Sequence, residues 1–331
     1  MSARIALAAA RTFCAACFTL ALAALFAAPA AASVLLYDYN LVVGGDLVST
    51  SNIRGKTVVG GSVTGANSAD FAQGLNAADN SGVVTLLVGG DIATGNPLNI
   101  GAGDVRTGGS VSRILNFNGG GTLTSGDPTA PAAAQSIIDQ IAPASDYYAG
   151  LTADSSVSPA GTQPAAVKFT ATPGADNVAV FEVDAARFSD SKSQQYELLF
   201  GAGVDANTLF VFNVSGSSVT FNQGNFVGDF NNASRRPNMI WNFYEATTID
   251  FDRMWNGTVL APLADLTIRN NVEGSVFVGG DFDQRGEVHF PLFAGPTPPS
   301  PPPPGGEVPE PAAMLVWAML GVTLGGVLRR R

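Results

Sequence analysis

The chain is expected to fold as a mainly β, right-handed β-solenoid with one flanking α-helix, bracketed by an N-terminal signal peptide and a C-terminal transmembrane helix. Three observations predict this: a Gly-Gly phrase that recurs through the body, an apolar run near each terminus, and one passage whose apolar residues fall at helical spacing.

Residues 1–32 read as the signal peptide. Arg4 and Arg11 precede or open an apolar stretch from Thr12 to Phe26, and Ala28-Pro29-Ala30-Ala31-Ala32 supplies the small residues that signal peptidase requires. Cleavage after Ala32 starts the mature chain at Ser33 and removes Cys14 and Cys17, the only cysteines. Disulfides and thiolate metal sites are then excluded, so core burial and backbone hydrogen bonding must hold the exported body together.

That body runs from residue 33 to 293, and its strongest internal signal is one short phrase. Val43-Gly44-Gly45-Asp46-Leu47, Val59-Gly60-Gly61-Ser62-Val63, Val88-Gly89-Gly90-Asp91-Ile92, Thr107-Gly108-Gly109-Ser110-Val111 and Val278-Gly279-Gly280-Asp281-Phe282 share Gly-Gly, then Asp or Ser, then an apolar residue. The first four begin 16, 29 and 19 residues apart. Short β-prone runs meeting at repeated glycine corners with elastic spacing suit a solenoid, in which each coil buries its inward face by stacking on the next. Hairpin turns in a sandwich or barrel are the alternative. Calcium at Asp46, Asp91 and Asp281 is a second possibility. The phrase lacks the glycine and aspartate that follow at set offsets in repeat-in-toxin sites, so these aspartates read first as Asx-turns satisfying corner amides.

A different passage follows, at about residues 129–150. Ile137, Ile138, Ile141, Ala144 and Tyr148 fall at helical spacing, and Pro143 should break or restart the helix. Packing along the side of the coil is the expected role, with partner binding as the alternative. From Val167 the pattern returns to β, with runs at 178–183, 209–214, 239–244, 257–262, 265–268 and 274–278. Phe212-Asn213-Val214 and Trp241-Asn242-Phe243 look like equivalent positions, at which buried asparagines can stack into a hydrogen-bonded ladder.

Between residues 33 and 306, 12 basic residues stand against 25 acidic ones, a difference of −13. That balance argues against nucleic acid, and against attraction of acidic polymers by net charge. No cofactor is expected: no Gly-Lys-Ser/Thr ends any glycine pair, and the exported chain meets no nucleotide.

Residues 294–307 form a Pro/Gly-rich, extended stalk. Beyond it come Val308-Pro309-Glu310-Pro311, an apolar run of 17 residues at 312–328, and Arg329, Arg330 and Arg331. As a helix rising ~1.5 Å per residue, that run covers about 26 Å and spans or nearly spans a hydrocarbon core of ~30 Å, with the arginines at the cytoplasmic face. The order of these features resembles the PEP-CTERM sorting signal, which implies processing of the tail by an exosortase in an exopolysaccharide-producing Gram-negative bacterium. A plain single-pass anchor is the alternative.

A second resemblance rests on 36–46, on Ile53-Arg54-Gly55-Lys56-Thr57 through Gly61, on 257–262 and 273–276, and on Gly286-Glu287-Val288-His289. These look like the choice-of-anchor A domain, a bacterial surface domain joined to alternative C-terminal sorting signals. The C-terminal half is also similar to the ice-binding β-solenoid with its flanking helix. Neither resemblance carries catalytic residues.

The expected function is non-enzymatic: an exported surface or matrix protein, adhesive or structural within an exopolysaccharide or biofilm, with signal peptidase, an exosortase, the membrane and a surface polymer as partners. Alternatives are a glycan-binding or glycan-cleaving solenoid and an ice-binding protein. Trp241, Tyr244 and Trp255 are candidate sugar-stacking residues, although strand aromatics usually belong to the core. Asp250-Phe251-Asp252-Arg253 and Asp281-Phe282-Asp283-Gln284-Arg285 hold the acidic and basic groups a solenoid lyase would need, and read more simply as solvated corners. His289, the only histidine, reads as part of a closing coil. Thr57, Thr85, Thr220 and Thr267 are scattered along the chain without the Thr-x-Thr repeat expected of an ice-binding face.

Overall fold

A computed structural model describes residues 35–295. The signal peptide, most of the stalk, the Val308–Pro311 motif, the 312–328 span and the terminal arginines lie outside the described residues. Among the described residues, no helix is long and apolar enough to cross a membrane.

The body is mainly β, and its strands stack in parallel as coils. One coil is seen between Leu41 and Thr57. Leu41–Val43 forms one side, the corner turns at Gly44-Gly45-Asp46, Leu47–Ser49 forms the second side, and Ile53 marks the third. The chain then pairs Thr57 beside Leu41, one coil of 16 residues later. The coil's first side builds a ten-stranded sheet, its second a six-stranded sheet, and its third two three-stranded sheets joined where Ile53 bridges Val288. The neighbouring strands in these sheets are parallel, which sets the coil apart from the sandwich alternative. The long interval between the second and third phrases is taken up by turns around residues 72–82.

The coils do not stack in sequence order. Leu41–Val43 lies in the middle of the ten-stranded sheet, and successive strands move outward from it to Leu123–Thr124. Two helices follow, Ala130–Ile138 and Ile141–Ala149. The chain resumes at the opposite edge with Val178–Asp184 and steps back inward through Leu209–Ser215, Met239–Asn242 and Thr258–Ala261. It closes when Val276–Val278 pairs with Leu41–Val43. A four-stranded sheet (Ser156–Val157, Ala165–Ala171, Ser193–Phe200, Phe226–Gly228) lies beside the Val178–Asp184 end.

The helical passage is two helices rather than one. Pro143 is the third residue of the second helix, where its missing N–H leaves no intrahelical bond unmade, so it restarts the helix. The first helix contacts strands of the N-terminal half and the second those of the C-terminal half. Beneath them Val42, Val58, Leu87, Ile240, Leu260 and Phe277 are buried, so these central strands are apolar on both faces.

Inside the coil, the aromatic side chains of the C-terminal half stack in register. Phe212 lies on Phe181 at 4.8 Å and on Trp241 at 3.9 Å, and Trp255 lies on Phe251 at 4.2 Å. The paired asparagines do form a ladder: Asn242 Nδ2 donates to Asn213 Oδ1 at 3.0 Å and to the Ser145 carbonyl at 2.9 Å. Asn213 Nδ2 donates to the Tyr148 carbonyl at 2.8 Å, so the ladder also fastens the second helix to the sheet.

Candidate functional site

The Gly-Gly phrases converge on one edge of the six-stranded sheet. The Asp281 N–H donates to Asp265 Oδ1 at 2.8 Å, the Asp46 N–H to Asp281 Oδ1 at 2.8 Å, and the Ser62 N–H to Asp46 Oδ1 at 2.7 Å. The column continues with the Asp91 N–H to Ser62 Oγ at 3.1 Å and the Ser110 N–H to Asp91 Oδ1 at 2.6 Å. These side chains are therefore not local Asx-turns; each satisfies the amide of the equivalent corner on the neighbouring coil. Their glycines make the room. A β-carbon on Gly45 would lie 2.1 Å from Asp281 Oδ1, and one on Gly61 2.1 Å from Asp46 Oδ1. Among the described residues, no group of three or more His, Cys, Asp or Glu side chains is arranged to hold a metal ion.

Beside this column lies the outer face of the six-stranded sheet. Its inward positions, such as Val219, Phe221, Ile249, Leu266 and Phe282, are buried. Outward, Thr220, Asp250, Thr267, Asp283, Val48 and Thr64 fall in one rank across six strands. Ser218, Thr248 and Asp265 begin a second rank that runs into the corner column. Thr220 and Thr267, distant in sequence, thus share one rank with Asp250 between them, whereas Thr57 and Thr85 are buried.

The acidic strings of this face are paired. Arg269 bonds Asp250 and also Asp252, the latter at 2.9 Å, and Arg285 meets Asp283 at 2.6 Å. The hydrogen bonds that Arg269 donates to Asp250 and Arg285 donates to Asp283 raise both guanidinium pKa values above the ordinary arginine value. Arg253 donates to the Asn222 carbonyl. The result is an ordered surface of hydroxyls and compensated charges, held in register by the parallel backbone.

On the third side, His289 Nδ1 lies 2.8 Å from Glu273 and Nε2 lies 2.5 Å from Glu287. Arg236 pairs with Glu273 at 2.9 Å, and Asn52 donates to Glu287 at 3.2 Å. His289 stands in the closing strand Val288–His289, which pairs with Val272–Glu273 and is bridged to Ile53 of the first coil.

The candidate sugar-stacking set divides. Trp241 and Trp255 are fully buried, and the Trp241 indole N–H donates to the Asn256 carbonyl at 2.9 Å. Their rings fill the inside of the coil and have no free face for a sugar. Tyr244 is half-buried just beyond its strand. A cleft that the sequence reading did not single out lies over the beginnings of the paired strands Ala165–Ala171 and Ser193–Phe200 and the loop residues that precede them, lined in part by Lys168, Arg187 and Lys192. The available signal was scarcity, because Lys168 and Lys192 are two of only three lysines in the chain.

The geometry defines a class: a three-sided stack of parallel coils with helices along one side and a sheet with a polar outer face on another. The chain belongs to the family described as an ice-binding-like adhesive domain, which matches residues 33–290. Three solved structures are similar at low identity. The ice-binding protein of the Antarctic ascomycete Antarctomyces psychrotrophicus is 12% identical over 77% of this chain and 95% of that one, with a TM-score of 0.34. A glycosylated ice-binding protein from an Arctic yeast is 15% identical over 81% and 97%, with a TM-score of 0.36. The ice-binding protein 1 domain of Shewanella frigidimarina is 13% identical over 79% and 98%, with a TM-score of 0.35. No curated protein matches the chain.

Proposed function

We propose that the protein is a non-enzymatic, exported adhesive or structural module of a cell surface or exopolysaccharide matrix. The observation that carries this reading is the outer face of the six-stranded sheet, where hydroxyls, carboxylates and guanidiniums are held in fixed ranks by parallel backbone and the corner column. A polar surface ordered before binding loses little further freedom when it meets a hydrated polymer. Membership of an adhesive-domain family supports it. The ends of the chain complete the proposal: signal peptidase removes residues 1–32, and the stalk at 294–307 lifts the body from the membrane. The 308–331 tail, PEP-CTERM in kind, anchors the chain until an exosortase processes it in a Gram-negative host. In this reading the body is a choice-of-anchor A domain and the coil is right-handed.

The paired substitution Thr220→Lys with Thr267→Lys tests the face in the full-length protein. It should weaken binding to the producer's exopolysaccharide while the melting temperature stays near that of the parent. Unchanged binding by a folded variant would remove this face from the account.

A second reading, ice binding, is favoured by the hydroxyls of Ser218, Thr220, Thr267 and Thr64 on that same sheet. Asp250 and Asp283, which interrupt the rank, weigh against it. A freezing-point gap between ice growth and melting, abolished by the same double substitution, would establish it; no gap in the parent protein would end it.

A further inference from the structure

The cleft beside the four-stranded sheet has a volume of about 570 Å³, within the ~300–1,000 Å³ usual for ligand sites. Its cations run against the character of the chain. In a body with 12 basic and 25 acidic residues, Lys168, Arg187 and Lys192 gather at one place. Among the described residues, none of the three takes part in an ion pair. Arg187 Nη2 donates to the Ser158 carbonyl at 3.2 Å, while its Nε is buried with no hydrogen-bond partner. A buried donor without an acceptor calls for one from outside the chain.

Two carboxylates share the cleft. Asp190 Oδ1 accepts the Lys192 N–H at 3.0 Å, and Glu197 accepts from the Gln195 amide. Each keeps lone pairs free to accept hydroxyl protons. A free phosphate or sulfate would gain from the cations and be repelled by these acids. A sugar acid suits both, because one ring carries a carboxylate and several hydroxyls.

We propose that this cleft binds a uronate residue of an acidic polysaccharide. Lys168, Arg187 and Lys192 hold its carboxylate, and Asp190 and Glu197 accept its hydroxyls. The proposal rests on the matrix reading for the source of the sugar. It also explains how an acidic body can hold an acidic polymer: attraction is local and acts at contact range against an unfavourable net charge.

The test is calorimetric titration of the full-length protein with trigalacturonate, neutral maltotriose and sodium sulfate. Lys168 and Lys192 are exposed, so Lys168→Gln and Lys192→Gln should leave the fold intact, which a thermal melt verifies. Trigalacturonate should bind saturably, lose about 3- to 5-fold in affinity with each substitution, and weaken as salt rises toward about 1 M. Maltotriose should not bind, and the charge-conserving Lys→Arg pair should retain affinity. Absence of trigalacturonate binding, equal affinity in the double Gln variant, or sulfate binding as tightly as trigalacturonate would overturn the assignment. Co-sedimentation with the producer's exopolysaccharide separates this outcome from the matrix reading. Full co-sedimentation of the double Gln variant together with an undiminished affinity for trigalacturonate would sink the cleft alone, whereas none by the parent protein would sink the matrix reading and leave the titration to decide the cleft.

Discussion

Gly45 shows how a two-letter signal becomes a structural rule. The space a side chain would fill is occupied by the Asp281 carboxylate, 2.1 Å from where a β-carbon would sit. Gly45→Ala and Gly61→Ala must therefore break a corner bond or push two coils apart, at an expected cost of roughly 1–3 kcal/mol each. Chemical denaturation should show that loss; an unchanged midpoint would mean the corners are loose. Asp281→Ala should cost less, about 0.5–1.5 kcal/mol, because it removes one hydrogen bond at an exposed corner. The glycine pairs and the acid or hydroxyl after them were legible in the sequence as corners. The identity of each aspartate's partner was not, since Asp46 and Asp281 are 235 positions apart and no local pattern links them. Trp241 and Trp255 were ambiguous for a related reason: an aromatic residue in a short strand reads the same whether it points into the coil or away from it.

The helices and the strands they cover carry two further predictions. Asn242→Leu should destabilise the protein by about 1–3 kcal/mol, since it removes the buried hydrogen bonds to the Ser145 hydroxyl, the Ser145 carbonyl and Asn213 Oδ1, and thermal unfolding would measure it. The turn into the first helix is sensitive to acid. Asp127 accepts hydrogen bonds from the Thr129 backbone and side chain and from Arg106, and these hold its carboxyl below the ordinary aspartate range. A depressed folded-state pKa stabilises the fold above the unfolded value and loses that contribution as pH falls through the folded one. Wild-type stability should thus decline more steeply below about pH 4 than that of Asp127→Asn; parallel pH profiles would contradict this. The helical passage and most strands of the C-terminal half were legible from apolar spacing. The division into two helices was readable only as an alternative at Pro143, because a proline in the first turn and one that kinks a helix look alike in sequence.

At the scale of the molecule, the chain opens in the middle of its own stack, builds outward, returns along two helices and closes by pairing Val276–Val278 with Leu41–Val43. The coil class was legible from the glycine phrases, but this path was not: stacking order depends on contacts between the two halves, and the turns at residues 72–82 disguise the repeat. The polar outer face is equally hidden, since Thr220, Asp250, Thr267 and Asp283 become one rank only when their strands are in register. The cleft with Lys168 and Lys192 needs the same assembly, as its lining comes from separate strands and loops. In the proposed function, this body holds a polymer without cutting it. Co-sedimentation of the full-length protein with the producer's exopolysaccharide, with the polymer sized before and after, decides between holding and cutting. Saturable binding and unchanged polymer length are predicted; no binding, or a shortened polymer, would rule out a non-enzymatic matrix-binding role.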